Sequence, residues 1–473
     1  MGKTTRRSFL KHSAVAGLAA SSWTRVFGAN DAIRVAVVGF NGRGKSHINA
    51  FEKMEGVRLV ALCDADRDVL DKQAKRLQDA GKPVECYTDV RKVIENKNID
   101  AIATATPNHW HSLLTIWACQ GGKDVYVEKP VSHNVWEGRK MVEAAEKYGR
   151  IVQTGTQSRS NMALREALDW AKAGNLGKIK IARGLCYKRR DSIGKVDGPQ
   201  TIPASVDYDL WCGPGPKGPL MRKNLHYDWH WVWPTGNGDV GNQGIHQMDI
   251  CRWALGKNSL SPQVLSVGGR FGYVDDGETP NTQFVVHDYG DTLLIFEVRG
   301  LPARPSGKEM DVYRSQSVGH VIECEGGYVA GTTAYDNQGK EIKKFTGSER
   351  EAHFENFIKA VRSRKPSDLN APILEGHLSS ALCHTGNISH RLGKQTSSEE
   401  IQDALKADKA ACETLERFTA HLATHGIDLK STKPTFGAHL KMDPKTERFI
   451  GNDKANQLLT QEYRKPFVVT EKV

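Results

Sequence analysis

An α/β fold is predicted for this 473-residue chain from three observations. β-Branched runs alternate with helix-forming stretches from residue 31 to about 155, the first run ends in a glycine-rich turn, and the second ends in an aspartate. Regular alternation of this kind implies a parallel sheet with helices on both faces. A glycine turn after the first strand and an acid after the second are what a dinucleotide needs, so residues 31–155 are expected to form one Rossmann dinucleotide-binding domain.

Ahead of that domain stands Thr5-Arg6-Arg7-Ser8-Phe9-Leu10-Lys11, then an apolar stretch at residues 14–20. Paired arginines before a modest apolar stretch resemble the twin-arginine (Tat) export signal, whose cargo crosses the membrane already folded. The stretch is far too short for a bilayer span, which takes roughly 20 residues. Residues 1–30 are therefore read as a signal segment for the Tat machinery, with the mature protein periplasmic or otherwise exported. Lys3, Arg6, Arg7, Lys11 and Arg25 lie there without an acid, so part of the formal charge of +11 belongs to the leader. The remaining excess is scattered, with no basic run to track a phosphate backbone, and no nucleic-acid partner is expected. The 9 cysteines are odd in number and lack Cys-x-x-Cys spacing. They form no legible metal or disulfide framework, no metal is expected, and buried free thiols are the reading.

The elements follow in order. Ile33–Val38 is the first strand, with a helix from Arg43; Val57–Cys63 is the second, ending at Asp64. A helix at 67–78, a short strand near Val84, a helix from Asp89, the strand Ala101–Thr104, a helix at 109–119, the strand Asp124–Val127, a helix at 135–148 and a strand at 151–153 complete the domain.

The turn reads Gly39-Phe40-Asn41-Gly42-Arg43-Gly44 against the fingerprint Gly-x-Gly-x-x-Gly. Its middle glycine is replaced by Asn41, a residue that tolerates positive φ, with Gly42 beside it. Pyrophosphate would sit on the helix N-terminus opening near Arg43, where free N–H groups and the helix dipole favour anions. Asp64, roughly 20 residues beyond Gly44, can accept hydrogen bonds from the adenosine ribose and repels a 2′-phosphate, which favours NAD, while nearby Arg67 keeps NADP open. Thr106, Asn108 and His111 follow the fourth strand and Glu128 and Lys129 the fifth, at carboxyl ends where open α/β sheets bind ligands.

The glycine turn, Thr106-Pro107-Asn108-His109-Trp110-His111, Glu128-Lys129-Pro130 and the later Gly244-Ile245-His246-Gln247-Met248-Asp249 together resemble the glucose-fructose oxidoreductase, inositol dehydrogenase and rhizopine catabolism family, written Gfo/Idh/MocA. The likeness runs from about Ile33 to Gly393. It implies a C-terminal α+β substrate domain, residues 156–394, with a large, mostly antiparallel sheet whose open face often mediates oligomers, so a homo-oligomer is expected. It also implies hydride exchange between a sugar or polyol carbon and nicotinamide, with Lys129 at substrate hydroxyl and cofactor ribose and His246 moving the hydroxyl proton. That division of labour is chemically sound, because a histidine titrates near working pH and an ammonium stabilises an alkoxide. Many members carry aspartate four residues before this histidine; Asn242 stands here and cannot take a proton. Proton work then falls to His246, Lys129 or a substitute such as Asp239.

Upstream, His226, Tyr227, Trp229, His230 and Trp231 are read as a sugar platform, aromatic faces stacking on pyranose C–H while polar edges fix hydroxyls; the competing reading is an apolar plug. The charged run at 187–191 is read as a solvated face, with an anionic substrate group as the alternative. Helical spacing at 353–362 and 377–391 suggests a lobe returning to the nucleotide domain, and residues 395–473 form a polar extension of helix and arm. The leading functional expectation is an exported NAD(P)-dependent sugar or glycoside oxidoreductase holding its cofactor tightly. The alternative is redox-neutral glycoside cleavage, in which oxidation, elimination and re-reduction succeed one another and the extra base is His226, His230 or Tyr227.

Overall fold

The computed structural model describes residues 32–347 and 352–473; the signal segment read at residues 1–30 lies outside them. Its first half is a parallel six-stranded sheet of β1 (Ile33–Val38), β2 (Val57–Cys63), β3 (Glu85–Tyr87), β4 (Ala101–Thr104), β5 (Asp124–Val127) and β6 (Val152–Thr154), in the order β3-β2-β1-β4-β5-β6. β4 and β5 are buried along their whole length, as apolar strands covered on both faces must be. The order reverses between β1 and β4, and the carboxyl ends of the strands open a crevice there.

The second half is built on a 12-stranded mixed sheet. Its centre is β7 (Ile179–Tyr187), flanked by β10 (Leu293–Arg299) in a parallel pairing and by β11 (Val318–Cys324) in an antiparallel one. β8 (Gln263–Gly269) and β9 (Thr282–Asp288) continue one side antiparallel. The helix Gly244–Ala254 packs on the inner face, and Gly184 makes the approach possible: a Cβ there would lie 2.9 Å from Gln247 Cβ and from Phe296. This tight seat on β7 fixes where His246 stands.

The extension is tied to both domains. Helices Ser398–Leu405 and Lys409–Thr424 lay Leu405, Leu415, Phe418 and Leu422 on Val267, Phe284 and Ile295, so this part of the outer sheet face is covered by the chain itself. The helix His353–Ser363 returns Phe357 and Val361 to Ile48 and Phe51 of the nucleotide domain, whereas Ile373–Arg391 lies between the domains. Farther on, Phe467, Val469 and Val473 enter the same core cluster as Trp110, Leu114 and Met141. All 9 cysteines are free thiols; Cys86 is exposed, Cys412 half-buried and the others buried.

Candidate active site

A cavity of 630 Å³ runs along the strand ends of the first domain and under the second. Its wall includes Gly39, Asn41, Gly42, Arg43, Asp64, Thr106, Asn108, His111, Glu128, Lys129, His226, Tyr227, Trp229, His230, Asn242 and His246, so the structure gathers these sequence-selected residues in one place. Gly44 and Trp231 stand outside the wall. Gly44 closes the turn, where a Cβ would come 2.2 Å from Gly39 O. Trp231 is buried beneath Arg190, whose guanidinium carbon lies 5.1 Å from its ring; an indole so covered supports the wall and leaves no face for a sugar.

At the nucleotide end the turn fits a dinucleotide. Gly39 has φ 73°, and a Cβ there would stand 2.8 Å from the Thr106 backbone, so only glycine keeps the groove open. The N–H groups of Asn41, Gly42 and Arg43 have no hydrogen-bond partner among the described residues and open the helix Gly44–Phe51, as a pyrophosphate site requires. Asp64 accepts from Phe40 N–H at 3.0 Å and Asp66 N–H at 3.1 Å, leaving lone pairs for ribose hydroxyls. Arg67 is exposed and absent from the wall, so the cation that would favour a 2′-phosphate does not face the cavity.

Glu128 ties this end together. Its Oε1 accepts from Arg43 Nε at 3.0 Å and Gln157 Nε2 at 3.3 Å and lies 3.1 Å from His47 Nε2. Burial would raise this carboxyl, but the His47 hydrogen bond and the charges around it hold it well below the usual carboxylate range. Gly155 leaves it room, since a Cβ there would fall 2.8 Å from Glu128 Oε2. His111 joins the two strand-end motifs: Nδ1 lies 2.6 Å from Pro130 O and Nε2 2.8 Å from Thr106 O. Burial lowers its pKa, and the two carbonyls oppose the shift.

At the other end Lys129 donates to Asn242 O at 2.6 Å, while the imidazole of His246 has no hydrogen-bond partner among the described residues. Burial and then the charge of Lys129 push His246 down to about 3, so its ring is a neutral acceptor. His230 Nδ1 lies 2.6 Å from Tyr227 O and must donate to it, which leaves Nε2 as a second neutral acceptor; burial pushes this ring too down to about 3. Its ring stacks on Trp229 at 3.6 Å. Asp239 is withdrawn from proton work, because Arg190 grips both of its oxygens at 2.7 Å.

A segment of the second domain crosses back over the nucleotide end. Ser205 O accepts from Arg67 N–H at 2.9 Å, Asp207 N–H donates to Ala65 O at 2.9 Å, and His226 Nε2 lies 2.8 Å from Asp66 Oδ2. His226 is thus a clasp, and the aromatic segment is part plug, through Trp229 packed with Trp211 and Leu225, and part cavity wall. Asn108 anchors the far side, giving Nδ2–H to Asn237 Oδ1 at 2.9 Å. Residues 187–191 are not one solvated face: Lys188 and Arg190 line the cavity while Arg189 and Asp191 pair with each other. Period-2 alternation carried past the end of β7 was the signal for this split. His47 and Gln157 had no such signal, being brought to Glu128 only by tertiary packing.

Two family models match the chain, "Oxidoreductase family, NAD-binding Rossmann fold" over residues 33–156 and "Oxidoreductase family, C-terminal alpha/beta domain" over residues 169–299. The chain belongs to the Gfo/Idh/MocA oxidoreductase family. As in that family, an NAD-binding Rossmann domain is followed by an α/β domain with a large, mostly antiparallel sheet. Among curated relatives, a "Glycosyl hydrolase family 109 protein" of Solibacter usitatus is 34% identical over 163 residues, 31% of this chain and 37% of that one. One of the same name from Saccharopolyspora erythraea is 30% identical over 164 residues, 33% of this chain and 36% of that one. The matches thus span little more than a third of these relatives. Among solved structures, the WlbA dehydrogenase from Bordetella pertussis, crystallised with NADH and UDP-GlcNAcA, shares the fold at TM-score 0.55 and 20% identity, covering 74% of this chain and 94% of that one. An oxidoreductase domain protein from Kribbella flavida does so at TM-score 0.57 and 16% identity, covering 75% and 96%.

Proposed function

We propose that this protein is an exported oxidoreductase that moves hydride between a hydroxyl-bearing carbon of a carbohydrate or glycoside and a captive NAD. The observation that carries the reading is the pairing, at the carboxyl ends of the parallel strands, of a cation, Lys129, with an unpartnered neutral imidazole, His246, in a cavity continuous with the dinucleotide groove. NAD when bound supplies the nicotinamide carbon that takes hydride and gives it back. The chain supplies the rest. His246 accepts the hydroxyl proton as the C–H bond breaks, Lys129 places positive charge against the alkoxide that develops, and Asn242 O holds the ammonium in place. The segment over Asp66 crosses the nucleotide end and the arm at residues 459–473 backs the wall at Trp110, an arrangement that suits an enzyme holding its cofactor where free NAD is scarce.

The names of the glycosyl hydrolase family 109 relatives support a second reading, redox-neutral cleavage of a glycoside, and one feature of the site favours it. His230 Nε2 is a second neutral acceptor in the wall of the same cavity, so one ring can serve oxidation and the other the removal of the acidified neighbouring C–H. Denaturing the purified, exported protein and quantifying released nicotinamide dinucleotide tests the captive cofactor: close to one per chain is expected, and none overturns it. Aglycone release without net NADH then selects cleavage, and net NADH selects dehydrogenation.

A further inference from the structure

We propose that the substrate bears an anionic substituent, a carboxylate or phosphate on the sugar, and that Lys188 is the residue that selects it. This rests on the carbohydrate reading above and deepens it. Along β7 the residues Ala182, Gly184 and Cys186 face the helix that carries His246. The same face continues past the strand as Lys188 and Arg190, held in register by Lys188 N–H donating to Arg299 O at 3.0 Å and Arg190 N–H to Gly300 O at 2.9 Å. Two cations thereby line the cavity from a fixed backbone, Arg190 half-buried and Lys188 exposed at its edge.

Their charges are not equally available. Arg190 is neutralised by the bidentate grip on Asp239, and Arg43 is paired with Glu128. Lys188 has no ion pair or side-chain hydrogen bond among the described residues, and Lys129 has its carbonyl partner but no carboxylate of its own. The acids on the wall are engaged elsewhere: Asp89 holds Arg91, and Asp64 faces the ribose end. After burial, the charges of Arg43 and Lys188 further depress the Lys129 pKa, which Glu128 and Asp239 oppose. Two like charges held in one cavity repel each other, a neutral polyol does nothing to relieve this, and an anionic substituent beside Lys188 does.

The NAD-loaded protein is titrated with methyl β-D-glucopyranoside, methyl β-D-glucuronide and glucose 6-phosphate, and with the galacto counterparts, by the fluorescence of Trp211 and Trp229 in the cavity wall. In at least one series a charged probe is expected to bind about tenfold more tightly than its neutral partner, as a charged hydrogen bond gives. The advantage should shrink with added salt and vanish in Lys188→Gln, with dinucleotide content and Tm unchanged. The carboxylate and phosphate arms tell the two sources apart. Charged probes that bind no better than neutral ones, or an advantage that survives Lys188→Gln, overturn the proposal. Binding or turnover of neutral sugars by the dinucleotide-loaded protein would leave the carbohydrate reading standing when this one fails; absence of dinucleotide and of all sugar binding would remove both.

Discussion

The two ends of the cavity are built on opposite plans. At the nucleotide end, Arg43, His47, Gln157 and the Lys129 N–H converge on one carboxylate, and Asp66 is clasped by His226. At the substrate end, His246, His230 Nε2 and Lys188 have no side-chain hydrogen-bond partner among the described residues. Side chains tied into a polar network fix a geometry, whereas side chains without partners in a cavity wait for a ligand. Substitutions at the first end should therefore damage the fold, and those at the second only the chemistry.

The sharpest separation is expected from His246→Ala and Lys129→Met. Each should lower kcat by about 10²–10⁴ with cofactor content and Tm nearly unchanged, as loss of a proton acceptor or an alkoxide-stabilising charge requires. A fall in Tm as large as the fall in rate would break the contrast. Glu128→Ala should do the reverse, leaving His47 and Arg43 without their anion. Denaturant unfolding should report a loss of about 3 kcal/mol, near the lower end for a broken buried pair because the Arg43 side chain is 46% exposed. Cofactor content should fall with it.

A third test uses acid. His109, His230, His246 and His384 are held neutral by burial, each pushed down to about 3. Their pKa values are lower folded than unfolded, so the stability they lend is complete above about 6.5 and drains away as pH falls towards 3. Each ring should contribute about 1.4 kcal/mol per pH unit to that slope, and His246→Phe should remove one ring's share. Glu128 acts in the same direction lower down, its contribution being present above about 4.3 and lost as pH falls through its depressed value. The smallest effect belongs to Asn242→Asp. An added carboxylate near His246 should raise its proton affinity by about one unit and shift the acid limb of kcat/KM upward, with kcat itself changed less than about tenfold. In the parent protein no inflection near 6.5 should trace to His246.

What could be read in advance follows the range of the forces involved. β1 and β2 fall where a β-branched run of local period predicts them, and the sixth strand is displaced by one residue, from 151–153 to Val152–Thr154. Asp64, Glu128, Lys129 and His246 could be selected because short motifs carry them to strand ends or to one helix. Partners could not be. Nothing local in His47 announces that it will meet Glu128, and nothing in Trp231 says that Arg190 will cover it. Nor did a polar extension rich in lysine suggest that Phe467 would lie 5.5 Å from Trp110.

That last contact bears on the order of manufacture. Trp110 and Leu114 belong to a domain whose strands are all made by Thr154, yet their core is completed by Phe467, Val469 and Val473, synthesised hundreds of residues later. Arg464 also binds Asp209 Oδ1 at 2.8 Å, joining the arm to the segment that crosses Asp66. The nucleotide domain therefore leaves the ribosome unfinished, with an apolar gap behind the cavity wall until residues 467–473 follow. If the cofactor is captive, as proposed above, that interval is when NAD would enter, and the arrival of the arm would turn a binding site into a container.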